Sequence, residues 1–232
     1  MVQQNNNLGS AISILRYIGY GLLVFALLDV IFIIYPPQFT NPDWELQVIG
    51  QIVERVPVPL IGLAFVFLGD ASQWKVPERL LSKILSFLSL VIAAFFLFLV
   101  PLGIFDTIRI LEKNQEQISG QTEQRVEQIE QIRNLVKDAN PQQLSQIAQQ
   151  LPNIGQSIDA DNPQQLRQEI LSRLEQQQTQ IKQQATNTQS EGRSSLLQNA
   201  IKWITGAFLA AVLSAIIFIQ TAWVRKLPLK TS

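Results

Sequence analysis

Apolar residues in this chain are concentrated rather than spread. They crowd into 12–35, 48–68, 84–105 and 201–224, while 112–200 has almost no dense apolar run. Hydrophobic residues make up 47% of the 232-residue sequence, an ordinary share for a globular protein, so their distribution is the constraint. A soluble domain spaces its apolar residues periodically, whereas a membrane protein gathers them into runs. Each run here has roughly 20 residues, which at about 1.5 Å per residue crosses a hydrocarbon core of about 30 Å. The competing reading is a helix buried in a soluble core. Against it stands FLSLVIAAFFLFLV at 87–100, a long stretch that is apolar on every helical face.

The expected fold is therefore all-α: a polytopic membrane protein with about four transmembrane helices and an extramembrane, coiled-coil-like helical hairpin between helices 3 and 4. Its parts are a membrane segment at 1–111, with spans near 12–35, 48–68 and 80–110, then a Gln-rich extracytoplasmic insertion at 112–200. A fourth span and a basic cytoplasmic tail follow at 201–232. The first ten residues are polar without Lys or Arg, and no small-residue cleavage site follows the apolar run. The run 12–35 is thus expected to be a retained span, not a signal peptide.

Lys plus Arg balance Asp plus Glu at 18 each, so nothing points to a nucleic-acid partner. With no cysteine and no histidine, disulfides, thiolate chemistry, Cys/His zinc sites and histidine acid–base catalysis are excluded. Neither a Gly-rich phosphate loop nor a nucleophile with its base is legible. Asp159 and Asp161 lack the spacing of a calcium loop and suit a helix start. The sequence thus predicts no enzyme, no cofactor and no metal.

The first span should stop at Tyr35-Pro36-Pro37, an aromatic anchor followed by a helix breaker. Asn41 suits an N-cap and Pro42 a first helical residue. From there Trp44, Val48, Ile49, Ile52 and Val53 form one face, and Gln47, Gln51, Glu54 and Arg55 another. Two readings fit 42–68: one span kinked at Pro57 and Pro59, or an interfacial helix followed by a short insertion. A kink is expected at Pro101 in the third span, and Trp203 and Trp223 suit the interfacial belts of the fourth. Basic residues Arg16, Lys75, Arg79, Lys83, Arg225, Lys226 and Lys230 fall on one side if there are four spans. That side should be cytoplasmic, with both termini on it. A bacterial plasma membrane is the expected home, a thylakoid membrane the other candidate.

Within the insertion, Ile118, Thr122, Val126, Ile129, Ile132 and Val136 recur every three to four residues, as do Leu166, Ile170, Leu171, Leu174, Ile181 and Ala185. Leu144, Ile147, Ala148 and Leu151 make a shorter helix. Asn140-Pro141 and Asn162-Pro163 repeat one helix-start signal. The narrow stripes suit a coiled-coil seam between extensions of spans 3 and 4. Glutamine on the outer faces leaves a spacer or an oligomerisation surface, and 176–184 also suits a disordered tract.

Six residues are the structural and interaction candidates. Asp29 lies inside the first span, where an ionisable group is costly without a partner. Arg55, with Glu54 beside it, reaches a similar depth from the second. Asp29 and Arg55 either pair across the helices or reach separately toward the interface. Asp106 and Arg109 share a helix face at the end of span 3, and Trp44 heads the apolar face of 42–55.

One stretch is specific. Tyr35-Pro36-Pro37, then NPDWELQVIGQIVER at 41–55, then VPVPLIGL at 56–63 resembles the signature at the start of the second span in the HpsJ family. These are cyanobacterial membrane proteins linked to hormogonium polysaccharide secretion and gliding motility. The resemblance extends to the four-span layout and the Gln-rich insertion. It is specific over about the first 110 residues and compositional beyond them. It implies a non-enzymatic accessory or scaffold role in exopolysaccharide export, with the bilayer, a second copy or secretion proteins as partners. It supplies no site residues. A membrane-organising or assembly factor of photosynthetic membranes is the alternative, and a sensor or channel the third reading.

Overall fold

The computed structural model describes residues 2–68, 74, 76–150 and 162–227, giving the backbone alone for 2–9 and 148–150. Lys75, Lys230, Leu151, Asp159 and Asp161 lie outside the described residues. Those described form seven helices and no strand: α1 (Val2–Ile34), α2 (Pro42–Arg55), α3 (Pro57–Val66), α4 (Val76–Asp138), α5 (Pro141–Gln150), α6 (Pro163–Gln220) and α7 (Ala222–Arg225). The fold is all-α, and four stretches are long and apolar enough to cross a membrane: Ser10–Ile34, Pro42–Val66, and parts of α4 and α6.

Local chemistry sets the helix boundaries. α1 ends immediately before Tyr35-Pro36-Pro37. Asn41 Oδ1 accepts from Asp43 N at 3.2 Å, capping α2 with Pro42 at its first position. Asn140 and Gln143 exchange side-chain-to-backbone bonds of 3.0 Å in both directions, a closed capping box for α5. Asn162 caps α6 through Gln164 N at 3.1 Å. The Gln-rich tract 176–184 is helical within α6, since glutamine loses little rotamer freedom in a helix.

Between α2 and α3 the helical path barely breaks. Pro57 has no N–H to offer the Val53 carbonyl, which takes the Val56 N–H at 3.3 Å instead. Val56 keeps right-handed dihedrals (φ −52°, ψ −35°), so 42–66 is one interrupted helical run. α4 remains helical through Pro101.

The chain divides into two compact units. The first comprises Met1–Ile110 and Leu196–Ser232. Here α1 packs on α3. Gly19 makes that approach possible: a Cβ there would lie 2.7 Å from the Gly62 carbonyl. Deeper in the bundle Ile49, Ile52 and Val56 of α2 and its cap meet Phe96 and Leu99 of α4 and Ala207, Ala210 and Ala211 of α6. Small residues on α6 let the backbones close up, as helices do where lipid supplies no hydrophobic drive.

The second unit, Leu111–Ser195, has its own core of Ile129, Val136, Ala139, Leu144, Leu166, Ile170 and Leu174. Arg133 donates to Gln178 at 3.2 Å and Arg167 to the Ala139 carbonyl at 2.7 Å, so the α4 and α6 segments of this unit run antiparallel. Ile118, Thr122 and Val126 lie half-buried along the same stripe.

Candidate functional site

Four of the six residues singled out from the sequence lie on or against α2: Trp44, Glu54 and Arg55 belong to it, and Asp29 meets it from α1. Arg55 Nη1 lies 2.8 Å from Asp29 Oδ1, joining α2 to α1, with both side chains about half exposed (50% and 47%). In water such a pair is worth roughly 0–1 kcal/mol. In hydrocarbon its value lies in what it avoids: a lone charge costs about 3 kcal/mol or more near the bilayer centre. Asp29→Asn or Arg55→Gln alone should therefore destabilise the bundle in nanodiscs, and the double substitution should recover most of the loss. A double variant as unstable as the sum of the singles would rule out the pairing.

Glu54 does not join that pair. It turns to α6, where Oε1 accepts from Lys202 Nζ at 2.7 Å and from Trp203 Nε1 at 3.1 Å. Helical geometry explains the split: adjacent positions diverge by about 100° around the axis, so Glu54 and Arg55 serve different neighbours. Beneath these polar contacts the two helices interlock. The Trp203 indole sits where a Gly50 side chain would be, and Val53 sits where a Gly206 side chain would be. Each helix thus offers a bulky residue and a glycine three positions apart, and each bulky residue fills the partner's gap.

Asp106, on α4, is 1% exposed. Arg109 remains 3.6 Å away and largely exposed at 54%. Trp44 is half-buried and meets Phe39 edge-on, with ring centroids 5.4 Å apart.

The opposite end of the bundle holds a polar cluster that sequence reasoning missed. Arg16 is 8% exposed, 3.6 Å from Glu78, and stacked over Trp74 at 4.8 Å. Trp74 in turn packs against Trp223 at 5.5 Å. Ser82, Ser86 and Ser89 form a fully buried column on α4. Ser86 Oγ lies 2.7 Å from Thr221 Oγ1 and accepts from Arg225 Nη1 at 2.8 Å. The available signal was the i, i+4, i+7 serine spacing within an apolar run, which marks a helix–helix face. Arg16, Arg79 and Arg225 thus lie at one end with Trp74 and Trp223, while Trp203 marks the other, about 30 Å of helix away.

Among the described residues no group of three acidic, His or Cys side chains could hold a metal ion. The arrangement suits joining helices: α2 is tied to α1 through Arg55 and to α6 through Glu54. Comparison with curated proteins and with solved structures gave no match. The family of HpsJ-like proteins matches residues 10–225, which include all six candidates and nearly all of both compact units. The chain belongs to the HpsJ-like family.

Proposed function

We propose that this chain is a non-enzymatic membrane scaffold, an accessory protein supporting exopolysaccharide secretion and the gliding motility linked to it. The observation that carries the reading is the family match over 10–225. It reaches beyond the second-span signature to include the Gln-rich unit and the fourth apolar stretch. The build of the molecule is in keeping with such a role, because its polar contacts are spent between helices.

The Gln-rich unit is read as extramembrane. Its core is one narrow stripe, and Gln, Glu, Lys and Arg cover the remaining faces, which hydrocarbon would not accommodate. The basic residues gathered at one end of the bundle favour a cytoplasmic position for that end and for both termini. The Gln-rich unit then stands on the far side of a bacterial plasma membrane, where it contacts secretion proteins or a second copy.

Gln128 and Gln177 are exposed on the α4 and α6 segments of that unit. A photoreactive residue at either position in living cells, followed by mass spectrometry of the adducts, tests the role. Adducts with polysaccharide export or polymerisation proteins are expected. Adducts confined to photosynthetic complexes would replace this reading with that of an assembly factor.

A further inference from the structure

Cations outnumber anions at the end of the bundle marked by Trp74 and Trp223. Glu78 is the only acidic side chain in 76–90 and 212–227, and it faces Arg16 at 3.6 Å. Arg79 donates to the Trp74 carbonyl at 3.1 Å. Among the described residues Lys83, Arg225 and Lys226 form no ion pair.

Arg225 is the most firmly placed of the three. α6 ends at Gln220, and the break at Thr221 (φ −89°, ψ 14°) leads into α7, which carries Arg225. Its Nη1 donates to the Phe218 carbonyl at 2.7 Å and to Ser86 Oγ at 2.8 Å. The last four carbonyls of a helix lack an intrahelical donor, and a cation beside them is favoured by the helix dipole. The guanidinium therefore lies level with the last turn of α6 instead of reaching out beyond it. There it stacks over Phe218 at 4.0 Å, with the Phe87 ring at 6.0 Å and the two rings 6.3 Å apart. Phe87 is 55% exposed, so this aromatic slot lies at the outer surface of the bundle, where lipid would meet it.

One nitrogen carries both hydrogen bonds, and Nη2 and Nε meet no acceptor among the described residues. Lys83 lies three residues before Ser86 and four before Phe87, so it stands on the same side of α4, half-buried. Two cations thus flank one exposed ring at the margin of the apolar spans. A charge at that depth needs a counter-charge, and these helices offer none. The bilayer carries one at this level, the phosphate of its headgroups. A guanidinium fork fits two phosphate oxygens, an ammonium adds a point charge, and the acyl chains can lie along Phe87 and Phe218.

We propose that Lys83 and Arg225, with the Phe87–Phe218 slot between them, bind the headgroup phosphate of an anionic phospholipid. The site needs only that the bundle sits in a bilayer, and it stands or falls apart from the secretion role.

The test uses the full-length protein in nanodiscs of phosphatidylglycerol and phosphatidylcholine in equal parts, released into native mass spectrometry to read the lipids that stay bound. Phosphatidylglycerol should be retained in preference. Arg225→Gln and Lys83→Gln should each lower that preference about fivefold, the worth of one basic side chain beside an anionic membrane surface. Arg109→Gln, which removes a largely exposed cation at the other end of the bundle, should leave it unchanged. Arg225→Gln also disturbs the tie to Ser86 and the end of α6. Lys83 bonds nothing among the described residues, so Lys83→Gln should unfold at the wild-type temperature in phosphatidylcholine alone and separates binding from folding. Equal retention of the two lipids, or a preference that Lys83→Gln leaves intact, overturns the site. An equal loss in Arg109→Gln overturns it too, because charge would then act without a defined place. Displacement of the bound lipid by inorganic phosphate would overturn the lipid as occupant.

Discussion

Gly50→Ala should uncouple α2 from α6 at a cost of about 1–3 kcal/mol, the usual range for forcing an added methyl into a close contact. The Trp203 ring occupies the volume that the new Cβ needs, and its Nε1–H is tied to Glu54, so it cannot swing away without breaking that bond. Trp203→Ala removes the obstruction. In that background the same Gly50→Ala change should be neutral or stabilising by up to about 1 kcal/mol, because alanine outranks glycine in a helix. Thermal unfolding of the four proteins in one detergent closes the double-mutant cycle. Equal Gly50→Ala costs with and without Trp203 would show that the interlock does not exist. Gly206→Ala against Val53→Ala offers the same test at the reciprocal position, where Val53 fills the gap.

The second large effect is expected in the Gln-rich unit. Its core has few members, and Val136, Leu144, Ile170 and Leu174 are its most completely buried. Ile170→Ala should cost about 2–5 kcal/mol, the range for truncating a large aliphatic side chain in a packed core. The antiparallel segments hold each other chiefly through this stripe, so hydrogen exchange should quicken together across 129–139 and 164–178. Leu135, 63% exposed on the adjacent face of α4, is the control: Leu135→Ala should change stability by no more than about 0.5 kcal/mol. Exchange in Ile170→Ala that matched the control would mean the stripe is not what joins the segments.

The readability of these features differs for physical reasons. Apolar runs of span length specify helices without reference to anything else in the chain, because every backbone group in lipid must be bonded within its own helix. Caps are equally local. Asn41, Asn140 and Asn162 each bond a backbone group two or three residues away, so their role is written in adjacent text. The apolar stripes of the Gln-rich unit were legible from their period, and the structure places Ile129, Val136, Leu166, Ile170 and Leu174 in one cluster. The Asp29–Arg55 contact could be framed as one of two possibilities, since helix rise alone put both residues at similar depth.

Depth, however, does not give direction around the axis. The sequence set Glu54 beside Arg55, but the rotation of α2 sends Glu54 to Lys202 and Trp203. Asp106 and Arg109 share a face as their spacing indicates, 3.6 Å apart, but the spacing could not show that packing would bury Asp106 and leave Arg109 largely exposed. The glycines at 50 and 206 carry no local mark of their use, because a missing side chain has meaning only beside the group that fills its place. The sequence by itself determined how many apolar helices form, where they start and stop, and which faces are apolar, all consequences of interactions over a few residues. Only the tertiary structure decided which helix each polar group and each glycine meets, because those partners lie up to about 150 positions apart in the chain and come together through packing.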